Sequence, residues 1–335
     1  MTRDDAEHNE GGREAMKVGV FTVLLADRPL EEALDYVREA GCEAVEIGTG
    51  GYPGDAHCKP QELLGDSGAI NEFRQAVESR DLEISALSCH GNPLHPDEEM
   101  AAEHDELFRD TVRLAAELGI GRVITFSGCP GDSEGSKRPN WVTCPWPTDF
   151  LETLEWQWRE KVAPYWEEAA SFAGEHGIKV AIELHPGFVA YNTDSFWRLR
   201  EIGGETIGVN FDPSHLFWQQ MDPLVCVREL GDAIFHVHAK DTWVDPPNVR
   251  RNGVLDTKEY TDEVNRSWIF RTVGYGHGPE FWRAFVSELR LAGYDGAISI
   301  EHEDSLMSVN EGFTKAVRFL KDTVITEKPG EAWWT

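Results

Sequence analysis

The run Lys179-Val-Ala-Ile-Glu183-Leu-His185 is a short hydrophobic segment that ends in side chains able to bind a metal. Three later segments end in the same way: Ile207-Gly-Val-Asn-Phe-Asp212-Pro-Ser-His215, Ala233-Ile-Phe-His236-Val-His238-Ala-Lys240-Asp241 and Ala297-Ile-Ser-Ile-Glu301-His302-Glu303-Asp304. Each has the length and composition of a buried β-strand. A barrel of parallel strands gathers the carboxyl ends of its strands at one face, where such barrels carry their chemistry. The four segments therefore predict one shared site.

Strand-like and helix-like segments alternate along the chain. The predicted strands are 17–22, 43–48, 83–89, 122–127, 179–184, 207–212, 233–238 and 297–301. The predicted helices are 29–40, 69–80, 98–118, 148–176 (kinked or divided at Pro164), 193–201, 222–230, 279–291 and 309–324. Eight such units predict an α/β protein with a single (β/α)8 TIM barrel. A doubly wound open sheet is the alternative, but no Gly-x-Gly-x-x-Gly motif follows the first strand.

Two loops are longer than the ~12–15 residues usual in a compact domain. They are residues 128–147 after the fourth strand and residues 242–278 after the seventh strand. Both are expected on the site face, as walls or a lid. They carry tryptophans, namely Trp141, Trp146, Trp243 and Trp268. These rings could stack on a sugar, for which Trp146 is our predicted contact, or they could form a subunit interface.

Composition sets the expected domain limits and location. The chain has 335 residues, of which 41% are hydrophobic. We expect a disordered acidic leader over residues 1–15, a barrel over residues 16–324 and a tail over residues 325–335. No apolar stretch reaches the ~18 residues of a membrane span. The six cysteines form no Cys-x-x-Cys pair, which favours free thiols and a cytoplasmic location.

The chain is strongly acidic, with a formal net charge of -29. This charge opposes binding to nucleic acid and to anionic membranes. It is explained either by solubility or by a salt-adapted source. The expected partner is a small molecule, and a homo-oligomer is possible.

Four residues form the predicted metal set: Glu183, Asp212, His238 and Glu301. Three carboxylates and one imidazole suit Mn²⁺, Mg²⁺ or Co²⁺ better than a structural Zn²⁺. We expect one divalent ion, with Mn²⁺ first and Mg²⁺, Co²⁺ or Zn²⁺ as alternatives. A metal that polarises a carbonyl oxygen makes the neighbouring C–H acidic, and a carboxylate can then move the proton.

This set resembles the xylose isomerase-like superfamily of sugar isomerases and epimerases, and its spacing is similar to that of the ketose 3-epimerase branch. The resemblance covers residues 17–323 and implies a (β/α)8 barrel with the metal set on its last four strands. It implies that Glu183 and Glu301 are the acid/base pair. It also implies that His215, in Asp212-Pro-Ser-His215, contacts substrate hydroxyls or a second metal.

One position departs from the epimerase pattern, and a second carries an additional histidine. Lys240 stands where ketose epimerases carry an arginine, so it becomes the predicted substrate contact. Glu183-Leu-His185 resembles the metal-dependent C-glycoside deglycosylating enzymes, in which such a histidine acts as a general base. The first hypothesis is therefore a metal-dependent sugar or keto-sugar isomerase or epimerase. The alternative is a lyase, deglycosylase or dehydratase acting on a 3-oxo-sugar or an inositol derivative, with His185 as catalytic base.

The remaining expectations concern other histidines and other functions. His90 and Glu46 are predicted to contact substrate. His236 is expected to face away from His238, as a core histidine. An apurinic-site endonuclease shares the barrel, but Tyr275-Gly-His277 lacks the Asp of its Asp-x-His motif, and the negative charge opposes DNA binding. The intact ligand set argues against a barrel kept only for binding.

Overall fold

The computed structural model of the chain describes residues 15–328, 330 and 334, so that the predicted leader, apart from residue 15, lies outside the described residues. The strands in this part of the chain are β1 (Lys17–Phe21), β2 (Ala44–Gly48), β3 (Glu83–Ser88), β4 (Arg122–Thr125), β5 (Lys179–Glu183), β6 (Ile207–Phe211), β7 (Ile234–Ala239), β8 (Asp241–Val244), β9 (Trp268–Arg271) and β10 (Ala297–Ile300).

Eight of these strands form a closed parallel barrel, in the order β1-β10-β7-β6-β5-β4-β3-β2. The barrel closes where β1 pairs with β10, from Lys17 opposite Ala297 to Val20 opposite Ile300. The chain visits the eight barrel strands in sequence around the ring, as in a (β/α)8 fold. The predicted single TIM barrel is confirmed.

The described helices surround this barrel and connect its strands. They are α1 (Leu30–Ala40), α2 (Pro60–Leu63), α3 (Ser67–Glu78), α4 (Glu98–Leu118), α5 (Asp149–Gln157), α6 (Ala163–Glu175), α7 (Thr193–Gly203), α8 (Pro213–Trp218), α9 (Pro223–Leu230), α10 (Pro246–Asn252), α11 (Pro279–Leu291) and α12 (Val309–Lys321). Helix α12 buries Phe313, Ala316, Val317 and Leu320, the spacing of one helical face. In the described residues, no helix combines the length and apolarity needed to cross a membrane.

The residues at the helix ends explain where the helices begin and end. Asp97 caps α4 by accepting hydrogen bonds from the backbone N–H groups of Glu99 and Met100, and Gly119 ends this helix at a φ of 76°. The helix predicted to be kinked or divided at Pro164 stays helical through this region, with an irregular turn just before the proline. A π-helical turn, Trp158–Val162, separates α5 from α6, and Pro164 lies in the first turn of α6, where its missing N–H costs no hydrogen bond.

The long loop predicted for residues 242–278 is only partly irregular. It contains α10 and β9, and β9 pairs antiparallel with β8 from Asp241 opposite Arg271 to Val244 opposite Trp268. Trp268 is 4% exposed and stacks on Trp218, with the ring centroids 4.6 Å apart. This loop therefore has a core of its own. Its short strands lie among charged residues and prolines, which made it resemble plain loop in the sequence.

Candidate metal and substrate site

The ends of the last four barrel strands meet in the upper interior of the barrel. Glu183 ends β5, Asp212 follows β6, His238 lies in β7 and Glu301 follows β10. One potential ligand atom from each of these residues lies within 4.8 Å of the others. The four predicted metal ligands, drawn from segments far apart in sequence, thus face one point.

Asp212 is held in place by the helix that follows it. Its Oδ1 accepts from the backbone N of Ser214 at 2.8 Å, and its Oδ2 accepts from Ser214 Oγ at 2.9 Å. Pro213 occupies the first turn of α8, where proline is favoured. The carboxylate is therefore both the N-cap of α8 and a member of the ligand cluster.

Glu183 is surrounded by nitrogen atoms. His90 Nε2 lies 2.9 Å and Asn210 Nδ2 lies 3.0 Å from its Oε2, and His215 Nε2 lies 3.3 Å from its Oε1. Burial raises the pKa of Glu183, but the charge of His90 and hydrogen bonds from His215 and His90 hold it well below its ordinary value. Glu183 is therefore a carboxylate at neutral pH. His90 and His215 were predicted as site residues, whereas Asn210, which lies two residues before Asp212, was not.

Lys240 lies inside the acidic cluster. Its Nζ is 3.0 Å from Asp212 Oδ2, 2.9 Å from Glu301 Oε2 and 3.1 Å from Glu303 Oε2. Burial lowers the pKa of Lys240, but the three carboxylates outweigh it and hold that pKa well above its ordinary value. The pKa of Glu301, which burial raises, is pulled below its ordinary value by Lys240 and His238. An ammonium group thus partly neutralises the predicted ligands.

His185 lies beside this cluster, with its ring centroid 4.1 Å from that of His215. Its Nδ1 is 2.6 Å from the carbonyl oxygen of Pro186. Burial lowers the pKa of His185 to about 3, helped by the charge of His215. The imidazole is therefore neutral at physiological pH, as a general base must be.

Glu46 and His236 lie deeper in the barrel than the four predicted ligands. Glu46 is fully buried, and its Oε2 is 2.9 Å from His238 Nε2. The expectation that His236 faces away from His238 is wrong. The two rings lie side by side, with their centroids 5.6 Å apart, because side chains two residues apart on a strand share a face. His236 is nevertheless a buried histidine with hydrogen-bond partners, as expected.

A cavity of about 290 Å³ opens above the cluster. Its apolar wall consists of Phe21, Val23, Leu24, Tyr52, Pro53 and Phe126. Its polar wall consists of His90, Glu183, Glu301, His302 and Glu303. Trp146, the predicted sugar contact, is 74% exposed and does not belong to either wall, so the structure does not bring it to the cluster.

His277 also lies apart from the cluster. Its Nδ1 is 2.8 Å from Asp241 Oδ1, and its ring stacks on Phe217 at a centroid distance of 3.7 Å. It lines a separate open groove of about 640 Å³. His277 therefore cannot serve as an additional metal ligand of the kind that an apurinic-site endonuclease would need.

The buried atoms of the cluster fit a divalent cation. Glu301 Oε2 and His215 Nε2 are buried, and their contacts are with charged or ionisable groups of the same cluster: Glu301 Oε2 with Lys240 at 2.9 Å, and His215 Nε2 with Asp212 at 3.2 Å and Glu183 at 3.3 Å. Neither atom makes a well-aligned hydrogen bond within the described residues. Buried polar atoms are rarely left in this state without a partner or an ion. Three carboxylate oxygens and one imidazole nitrogen are a donor set that hard divalent ions accept.

Comparison with known proteins agrees with this geometry. Residues 34–323 match the model of the xylose isomerase-like TIM barrel family. The protein YfiH of Bacillus subtilis is 38% identical over 92% of this chain and 99% of its own. An inosose dehydratase of Mesomycoplasma hyopneumoniae is 22% identical over 92% of this chain and 96% of its own. A solved D-tagatose 3-epimerase-like protein shares the fold, with a TM-score of 0.60 and 20% identity over 92% and 98% of the two chains. The chain belongs to the xylose isomerase-like TIM barrel family.

Proposed function

We propose that this protein is a metal-dependent isomerase or epimerase that removes a proton next to the carbonyl group of a sugar or keto-sugar. One observation carries the proposal. Glu183 and Glu301 belong to the same ligand cluster and also line the same cavity. A carboxylate in that position can bind metal through one oxygen and reach a substrate C–H with the other.

Glu183, Asp212, His238 and Glu301 would hold the ion. When bound, the ion supplies a Lewis acid for the carbonyl oxygen of the substrate. Glu183 is ionised and would accept the proton. Glu301 is also ionised, so it would first take up a proton from the ammonium group of Lys240, 2.9 Å away, and then pass it to the substrate, while Lys240 is protonated again from solvent. Burial under the apolar wall keeps water away from the reacting carbon.

The cavity also suggests the substrate class. A volume of about 290 Å³ fits one monosaccharide-sized molecule. Phe21 and Phe126 offer apolar surface to the C–H face of a ring, whereas Glu303 and His302 face its hydroxyl groups. The walls formed by the described residues contain no arginine or lysine that would bind a phosphate. We therefore propose an uncharged polyhydroxy ketone as substrate.

Dehydration of a keto-cyclitol or 3-oxo-sugar is the second candidate. His185 favours it, because a neutral imidazole beside His215 adds a third base near the cluster. In this reaction the same proton is removed, and the C–O bond at the next carbon then breaks to release water. The similarity to an inosose dehydratase supports this candidate.

We also propose a cytoplasmic location. All six cysteines are free, and five of them are buried. Burial raises the pKa of Cys42, Cys58 and Cys89 to about 12, so these thiols stay protonated and unreactive. Free thiols of this kind suit a reducing compartment.

Exchange of solvent deuterium into substrate tests the proposed chemistry. The protein with added Mn²⁺ is incubated in D₂O with a panel of ketohexoses, 3-oxo-glycosides and keto-cyclitols, and exchange is followed by NMR. We expect exchange at the carbon next to the carbonyl in at least one class. Glu183→Gln and Glu301→Gln should each lower its rate by about 10²–10⁴-fold.

Glu303→Gln is the comparison variant, because it removes a carboxylate charge from the same cavity outside the predicted metal set and so measures the loss of a hydroxyl contact alone. It should change the rate by less than about tenfold. An epimerised product supports the first candidate, and loss of water supports the second. Absence of exchange from every compound, or full activity of both cluster variants with metal bound, contradicts the proposal.

A further inference from the structure

A second group of buried polar side chains lies directly beneath the ligand cluster. We call it the lower layer, and it consists of Glu46, Ser88, Asn210 and His236, all of which have no solvent exposure. A carboxylate is rarely buried so completely unless its oxygens are paired. The partners of Glu46 therefore indicate why it is there.

Each oxygen of Glu46 has its own partner. Ser88 Oγ donates to Oε1 at 2.5 Å, and His238 Nε2 lies 2.9 Å from Oε2. His236 Nε2 is further away, at 3.8 Å. The strong contact of Glu46 is thus with the one histidine of the predicted metal set.

The two nitrogens of His238 face different groups. Nδ1 faces the cluster, 3.0 Å from Glu301 Oε2 and 3.5 Å from Glu183 Oε2, whereas Nε2 faces Glu46. A metal binds the unprotonated nitrogen of a neutral imidazole, and the hydrogen bond at the other nitrogen sets which one that is. Glu46 can accept a hydrogen bond only from Nε2, which keeps the proton on that nitrogen. Nδ1, which faces the carboxylates of the cluster, is then the nitrogen that would give up its proton to bind the ion.

We infer that Glu46 is a positioning residue that fixes the orientation and tautomer of His238, so that Nδ1 is the metal ligand. The inference rests on the proposed metal site and goes beyond it, because Glu46 was expected to contact substrate. Glu46 does not reach the cavity walls. It acts through His238, in the way that carboxylates hold ligand histidines in other metal sites.

The rest of the lower layer argues against a second reading, in which Glu46, His236 and His238 themselves hold the ion. These three residues also have ligand atoms within 4.8 Å of one another. Both nitrogens of His236 are occupied, however. Nδ1 is 3.1 Å from Asn210 Oδ1, and Nε2 is 3.3 Å from Ser299 Oγ. Asn210 in turn donates a hydrogen bond to Glu183 Oε2, so His236 supports the ligand cluster through Asn210.

Mn²⁺ titration by calorimetry tests the inference without any substrate. The apolar variant Glu46→Met, which keeps the length of the side chain, should bind Mn²⁺ about 10–100-fold more weakly than the unchanged protein. The conservative variant Glu46→Gln keeps an acceptor oxygen and should recover part of this loss. Ser88→Ala is the control, because it removes only the bond to the other oxygen, and its affinity should stay within about threefold. Thermal unfolding of the metal-free variants verifies that each is folded.

A spectroscopic signature separates positioning from general damage. With Zn²⁺ as a diamagnetic probe and ¹⁵N-labelled histidine, His238 should show a protonated Nε2 and a metal-bound Nδ1, and Glu46→Met should lose this pattern. Equal Mn²⁺ affinity and an unchanged pattern in Glu46→Met overturn the inference while leaving the proposed function intact. Loss of Mn²⁺ binding in His236→Gln but not in Asp212→Asn would place the ion in the lower layer and also overturn it. Absence of Mn²⁺ binding by the unchanged protein overturns the inference and the proposed function together.

Discussion

Two neighbouring layers of the barrel interior differ in charge balance. The upper layer, formed by Glu183, Asp212, Glu301, Glu303 and Lys240, has four carboxylates for one ammonium group and opens into the cavity. The lower layer is closed to solvent, and its single carboxylate has a partner for each oxygen. Burial of a charged group is therefore not enough to indicate a metal site. The upper layer has the excess of negative charge that a cation site requires, whereas the carboxylate of the lower layer is fully paired and can hold a neighbouring side chain in place.

Removal of the one ammonium group should have the largest effect on stability. Lys240→Met leaves the carboxylates of Asp212 and Glu301 buried without their cation, which should lower the free energy of unfolding of the metal-free protein by about 3–5 kcal/mol. The same variant should bind Mn²⁺ more tightly, because the ion replaces the lost charge. Urea unfolding with and without Mn²⁺ measures both effects.

Lys315→Met is the matched control, since Lys315 pairs with Glu311 on the surface of α12. It should change the free energy of unfolding by less than about 1 kcal/mol. If Lys240→Met is no more destabilising than this control, the carboxylates of the upper layer are not held by Lys240.

The lower layer should make the protein sensitive to acid. Burial lowers the pKa of His236 to about 3, against an ordinary value of 6.5. Below pH 6.5 the unfolded chain therefore binds a proton that folded His236 does not bind until about pH 3. The stability that the folded protein gains from keeping His236 neutral is fully present above pH 6.5 and is lost as the pH falls. Between pH 7 and pH 5 the free energy of unfolding should therefore fall by about 2 kcal/mol because of His236.

Urea unfolding at both pH values measures this contribution. His236→Gln should lose about 2 kcal/mol less than the unchanged protein over this interval. If the two proteins lose stability equally, His236 is not buried in its neutral form, and the lower layer is accessible to solvent.

The smallest effects are expected at the aromatic residues around the cavity. Tyr52 lines the apolar wall, whereas Trp146 does not. With a substrate found by deuterium exchange, Tyr52→Ala should raise KM by about 2–10-fold, the value of one aromatic contact. Trp146→Ala should change KM by less than about twofold. A larger effect at Trp146 would show that the loop over residues 128–147 closes on the substrate, as the sequence analysis predicted.

The barrel and the ligand cluster were predictable because both depend on local patterns. Alternating strands and helices predict a parallel barrel, and a polar residue at the end of a strand predicts a position at its active face. Glu183, Asp212, His238 and Glu301 could therefore be found together. Lys240 was predicted as a substrate contact, from its likeness in position to an arginine of ketose epimerases; its pairing with Asp212, Glu301 and Glu303 was not predicted.

Contacts across the barrel were not predictable in the same way. Glu46 and His238 are 192 residues apart, and no periodicity in the sequence pairs them. The strand rule should have placed His236 on the face of His238 and was misapplied. Asn210 could have been found by the same rule, because it precedes Asp212 by two positions.

The position of a bound Mn²⁺ ion shows whether the upper layer is the metal site. Crystals of the protein grown with Mn²⁺ and measured near the manganese absorption edge reveal the ion by anomalous scattering. We predict one peak in the upper layer, within coordination distance of oxygens of Glu183, Asp212 and Glu301 and of Nδ1 of His238. A peak between Glu46, His236 and His238, or no peak inside the barrel, would show that the proposed metal site is wrong.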